Sequence, residues 1–120
     1  MPVNIYSHLT PAPPELTKKA FSLLDKVKYS GGKIRRGIHG TTNAVKNGDA
    51  KLVYIVSDLE YPEQVLHLKV LCERDSIPYV CVPANRQYGI VNSAAIIDIG
   101  RARSPYYRFL KELDMARRLL

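Results

Sequence analysis

The chain has 120 residues, 46% of them hydrophobic, enough for one compact domain around one core and too apolar for a disordered tail. Its 18 Lys and Arg against 11 Asp and Glu leave a net charge of +7, a balance that favours an anionic partner, nucleic acid first. No apolar run approaches the roughly 20 residues of a membrane span, and the opening MPVNIYSHLTPAPPE lacks both the cationic start and the apolar centre of a leader, so the expectation is a cytoplasmic protein that does not engage a membrane.

A proline-rich arm over residues 1–13 is followed by Leu16, Ala20, Leu23, Leu24 and Val27 at helical spacing, which predicts an amphipathic helix between Pro14 and Lys28. The next stretch, GKIRRGIHGTTNAVKNGDAKLV, crowds Lys33, Arg35 and Arg36 ahead of a Gly-Ile-His-Gly turn. A short helix is predicted from Thr42 to Asn47, stopped by Gly48. Thr41 or Thr42 as its cap turns unpaired amides and the positive end of the helix dipole outward, an entrance suited to an anion. KLVYIV is an unbroken apolar run, as in a central strand covered on both faces.

Helix returns from Pro62 to Asp75, with Val65, Leu68, Leu71 and Cys72 inward. YVCVP and SAAIIDI read as two more buried strands. A last helix starts near Ser104-Pro105 and puts Tyr106, Phe109, Leu113, Ala116 and Leu120 on one side, with Arg108, Lys111, Arg117 and Arg118 mostly on the other. This alternation predicts an α/β fold: a single-domain, three-layer α-β-α sandwich with a small mixed sheet, without repeats or interdomain linkers. Cys72 and Cys81 each sit in an apolar segment with no second pair to complete a metal cage, so both read as core residues and neither metal nor cofactor is expected.

KIRRG followed by TTNAVKNGDAKLVYIVSD, HLKVLCERDSIPYVCVP and AAIID resembles the kink-turn-binding family that contains an archaeal large-subunit ribosomal protein and the core proteins of eukaryotic small nucleolar and spliceosomal RNPs. The resemblance runs from about Leu16 to Gly100. It implies a non-catalytic protein that binds a sharply bent RNA internal loop built on tandem sheared G·A pairs, as a ribosomal, guide-RNP or ribonuclease P component. The partners implied are that structured RNA and other RNP proteins, with the free protein a monomer.

The family's Gly-Thr-Asn-Glu-Thr-Thr-Lys motif falls on Gly37, Ile38, His39, Gly40, Thr41, Thr42 and Asn43. His39 stands for the Asn, Gly40 for the guanine-reading Glu and Asn43 for the Lys. A base-edge contact of this kind is worth roughly 1 to 3 kcal/mol. The family's apolar loop corresponds to a short RQYGIVN, where Ile90, Val91 and Asn92 take its place and Tyr88 offers a stacking face. The RNA-binding residues expected are therefore Lys33, Arg35, Arg36, Gly37, His39, Gly40, Thr41, Thr42, Asn43, Lys46, Ile90, Val91 and Asn92.

Plainer roles stand beside these. A histidine in the Gly-Ile-His-Gly turn is as compatible with an unusual backbone angle as with an RNA contact, and His67 reads as a structural histidine. Asp58 and Glu60 have no nucleophile or partnered base near them and read as turn caps rather than an acid-base pair. The altered motif also fits a divergent paralogue with another RNA target or a protein-binding role within an RNP.

Overall fold

The computed structural model describes residues 9–118. Their order is α1 (Pro14–Tyr29), β1 (Lys33–Arg36), α2 (Ile38–Lys46), β2 (Leu52–Val56), a 3₁₀ turn (Pro62–Gln64), α3 (Leu66–Arg74), β3 (Tyr79–Val82), a second 3₁₀ turn (Arg86–Tyr88), β4 (Ser93–Asp98) and α4 (Arg103–Arg118). The four strands form one sheet in the order β1-β4-β2-β3, with β2 parallel to β3 and both β1 and β2 antiparallel to β4. The α/β sandwich expected from the alternation of elements is the observed fold.

Strand alternation divides the core between two layers of helices. Leu52, Tyr54 and Val56 of β2, with Ala94 and Ile96 of β4, pack with Leu16, Leu24, Tyr106 and Phe109 of α1 and α4. Val53, Ile55 and Ala95 face the other way, onto Ala44 and Val45 of α2 and Leu68 and Cys72 of α3. Every residue of β2 is buried, as its unbroken apolar run requires. Its Tyr54 is fully buried and satisfies its hydroxyl by donating to the Ala20 carbonyl at 2.6 Å. Both cysteines are buried free thiols, pushed up chiefly by burial to about 12 at Cys72 and about 11 at Cys81.

β3 is an edge strand, and its outward carbonyls are occupied. The Ala12 N–H donates to the Cys81 carbonyl at 2.9 Å, and the Arg117 guanidinium donates to the Tyr79 carbonyl while lying 4.2 Å from the Tyr79 ring centroid. Residues 9–13 of the proline-rich arm thus have a structural task, and residues 1–8 lie outside the described residues.

Three expectations change. Lys33–Arg36, for which the sequence predicts no element, is a strand; it escaped the periodicity because Ile34 is its one apolar residue and the strand lies exposed at the sheet edge. The helix expected from Pro62 to Asp75 is broken at Val65, where φ is −119° and the N–H bonds back to Pro62 three residues earlier; Leu71 is only partly buried. The second helix begins four residues before Thr42, at Ile38. Leu120 lies outside the described residues.

The exit of α1 crosses the exit of β4 at a glycine pair. A Cβ on Gly32 would collide with the Asp98 carbonyl and with Val27, and one on Gly100 would collide with the Gly32 amide and the Ser30 carbonyl. This crossing sets where β1 enters the sheet. Gly32→Ala should therefore lose about 1 to 3 kcal/mol of stability to overpacking, and Tyr54→Phe about 1 kcal/mol to the lost hydrogen bond, both read from urea unfolding midpoints.

Candidate nucleic-acid interface

β1 leaves the sheet edge and becomes α2 within one residue. Gly37 is the N-cap, with φ +88° and ψ 164°, a region that residues with a side chain essentially do not occupy. Its N–H donates to the Ser93 carbonyl at 3.0 Å, so the start of α2 is tied to the start of β4. No side chain caps this helix, and the N–H groups of Ile38, His39 and Gly40 find no acceptor among the described residues. These amides and the dipole of the helix form an outward-facing positive end.

Neither threonine is the cap that the sequence suggested. Thr41 lies in the second turn and is fully buried, its Oγ1 without a hydrogen-bond partner, so its side chain cannot reach an RNA. The Thr42 hydroxyl hydrogen-bonds Nε2 of His67 at 2.9 Å and ties α2 to α3. The left-handed turn at Gly37 makes the helix start early, and Gly40 is accommodated inside it.

The pleat of β1 separates the cationic run. Arg35 lies towards α2, where a cleft of about 250 Å³ is lined by Arg35, Gly40, Asn43, Asn47 and Asp49. Arg36 turns to the loop before β4, its Nε donating to the Tyr88 carbonyl at 3.1 Å. Gly89, at φ +72°, lets that guanidinium approach: a Cβ there would stand 2.7 Å from Arg36 Nε. Lys33 is exposed at the far end of β1, opposite Asp98.

The short loop is rigidly built rather than merely abbreviated. The backbones of Asn85 and Ile90 exchange both hydrogen bonds (2.8 and 3.0 Å), and the Asn85 side chain accepts from the Gln87 N–H at 3.0 Å. Ile90 is fully buried in the core, which removes its side chain from the expected contact set. The Tyr88 ring stacks on Phe21 with centroids 5.0 Å apart, so one of its two faces is already covered. Val91 is 64% exposed, and Asn92 accepts the Val56 N–H through its carbonyl at 2.9 Å.

The residues brought together are thus Arg36, Gly37, Val91 and Asn92 around the Gly37–Ser93 bond, with exposed His39 on the first turn of α2 and Arg35, Gly40 and Asn43 in the adjoining cleft. Lys46 is not among them; it sits in the last turn of α2, beside His67. Asn47 and Asp49 were not anticipated, since Asn-Gly-Asp reads as a turn and nothing in it marks a cleft wall. Asp58 accepts the Ala84 N–H at 3.0 Å, a loop tie. Among the described residues no three His, Cys, Asp or Glu side chains come together as a metal cage.

Partial burial, with Lys46 nearby, lowers the His67 pKa from its usual value. The folded state then binds the proton less readily than the unfolded chain, so this contribution to stability is complete above the unfolded value near 6.5 and falls as the pH drops below it. An NMR titration should place His67 below 6.5, and Lys46→Gln should raise it.

A sequence model of the ribosomal protein L7Ae/L30e/S12e/Gadd45 family matches residues 18–95. Among solved structures, the chain is similar to the Giardia lamblia 15.5kD RNA binding protein, with 24% identity over 88% of this chain and 93% of that one and a TM-score of 0.77. That match establishes the common fold. The matched segment reaches from α1 into β4 and includes the whole β1-Gly37-α2 junction, and the chain belongs to the L7Ae/L30e/S12e/Gadd45 family.

Proposed function

We propose that this protein binds structured RNA at the junction of β1 and α2 and acts as a non-catalytic component of an RNP. The observation that carries this reading is the uncapped α2 terminus, with three unpaired amides in its first turn and Arg35 and Arg36 immediately ahead of it in the chain. Phosphate oxygens satisfy such amides directly. Membership in a family of ribosomal proteins supports the reading, as does the fold shared with a protein described as RNA-binding.

The RNA class that fits best is a kink-turn or a similarly bent internal loop. An exposed Val91, two residues before the Ser93 whose carbonyl holds the Gly37 N–H, offers an apolar contact to an unstacked base, and His39 and Asn43 offer donors. A second reading, a divergent member with a different RNA target, is favoured by Gly40, which places no carboxylate where the resemblance puts a guanine-reading one.

Gly40 makes the two readings separable. A Cβ there meets only Arg35 Cβ, at an ordinary 3.5 Å, so Gly40→Glu fits and replaces a helical glycine with a better helix former. It should tighten binding to a kink-turn by up to roughly 1 to 3 kcal/mol and leave unchanged the affinity for the same RNA with its sheared G·A pairs made Watson-Crick. Equal gains on both RNAs, or none, favour the divergent target. Arg35→Ala should weaken both RNAs alike and flatten the slope of log affinity against log salt by about 0.7 to 0.9. An unchanged slope places Arg35 outside the interface.

A further inference from the structure

Most of the net positive charge of this protein lies away from the α2 entrance. Residues 14–29 and 101–118, which form α1, α4 and the turn entering α4, carry ten Lys and Arg against four Asp and Glu; the remainder of the chain carries eight against seven. All but one of the net positive charges thus sit on the helical layer that the sheet separates from α2.

That layer is grooved. α1 and α4 run in opposite senses, Lys19 meeting Glu112 at 3.1 Å and the Arg101 N–H donating to the Ser30 carbonyl at the other end. Between them lies a groove of about 240 Å³ with Lys19 and Lys26 on one wall, Arg108 and Glu112 on the other and buried Leu23 and Phe109 along it. Its lining acid, Glu112, is engaged already by Lys19, and Asp114, further along α4 and outside the groove, pairs with Arg118 at 3.0 Å. The side chains of Lys26 and Arg108 make no ion pair or hydrogen bond among the described residues.

Helix dipoles do not account for this arrangement. They favour Lys26 and Lys28 in the last turn of α1, but Arg103 occupies the first turn of α4, which contains no acid, and Arg101 lies just ahead of it. Cations at that end oppose the dipole and one another, and an external anion relieves both. Tyr29, 84% exposed, closes α1, and Tyr107, 56% exposed, rises from the first turns of α4 with Arg103 over its ring; both offer aromatic faces near these cations.

We propose that the groove between α1 and α4 is a second RNA-contacting surface, one that takes the phosphate backbone of a duplex segment without reading its sequence. Together with the α2 entrance it lets the protein hold two segments of one RNA on opposite faces of its sheet. The proposal rests on the reading of this chain as an RNA-binding protein and not on what α2 recognises.

The test compares the wild type with Lys26→Gln/Arg108→Gln on two kink-turn RNAs, one with minimal arms and one with an arm extended by a long duplex. Both side chains are exposed, and thermal unfolding by circular dichroism checks that the fold is kept. On the long-armed RNA the variant should flatten the salt slope by about 0.7 to 0.9 for each cation removed, with the slope on the minimal RNA unchanged. The same slope for both proteins on the long-armed RNA, or an equal loss on both RNAs, overturns the second surface and leaves the α2 reading intact. Failure of the wild type to bind the long-armed RNA overturns the second surface, which needs no particular target at α2, and failure on the minimal RNA alone overturns only the kink-turn assignment at α2. Binding to polyglutamate or to phosphatidylserine vesicles that the variant abolishes, with RNA binding unaffected, assigns the groove to an acidic protein or a lipid surface and also overturns the proposal.

Discussion

The interface depends on one backbone conformation, that of Gly37. At φ +88° and ψ 164° the chain stops being an edge strand and starts being a helix with no intervening loop, and only glycine takes that conformation without strain. Nothing lies within 4 Å of a Cβ built there, so the requirement is conformational and not one of space. From it follow the early start of α2 with its unpaired first amides and the bond to Ser93 that brings β4 and its preceding loop alongside, with Arg35 just before it in the α2 cleft and Arg36 against the Tyr88 carbonyl of that loop. The surrounding structure holds this arrangement rigidly: the Gly32–Gly100 crossing fixes where β1 begins, and the Arg36–Tyr88 bond fixes where the loop ends.

Charge divides the molecule along a different line. Outside α1, α4 and the turn entering α4 the chain sums to nearly neutral, and the start of α2 offers unpaired amides, a cleft and an exposed apolar residue in the loop tied to it, which are means of recognition. The α1/α4 side carries nearly all of the net charge and a shallow groove, which are means of general attraction. In nucleic-acid recognition such duties are commonly distinct, since phosphate contacts supply affinity and position while base contacts supply specificity. On the proposed reading, the sheet keeps these duties on opposite faces of this protein.

The sequence reveals what burial controls. β2 was legible because both of its faces are covered, so KLVYIV has no polar interruption; α1 and α4 were legible because each buries a single stripe. β1 was not, because an exposed edge strand of four residues with three cations looks like a solvated charge run. The threonine pair was misread for a related reason: Ser and Thr before a helix signal a cap, but a glycine in a left-handed turn had already started the helix, leaving Thr41 to be buried. Ile90 lay in a stretch too short for any periodicity to show that it points into the core. Net charge was read correctly as a sum and carried no information on place, since helix residues far apart in the chain pool their charges only once α1 and α4 pack together.

The most direct test of the α2 interface is to follow the backbone amide resonances of the protein as a short-armed kink-turn RNA is added. The largest shifts should fall on Ile38, His39 and Gly40, whose N–H groups lack partners, and on Val91 and Asn92 in the facing loop, with α1 and α4 little changed. Shifts confined to α1 and α4, or spread evenly over the surface while those amides stay unmoved, would contradict the assignment of the RNA to the start of α2.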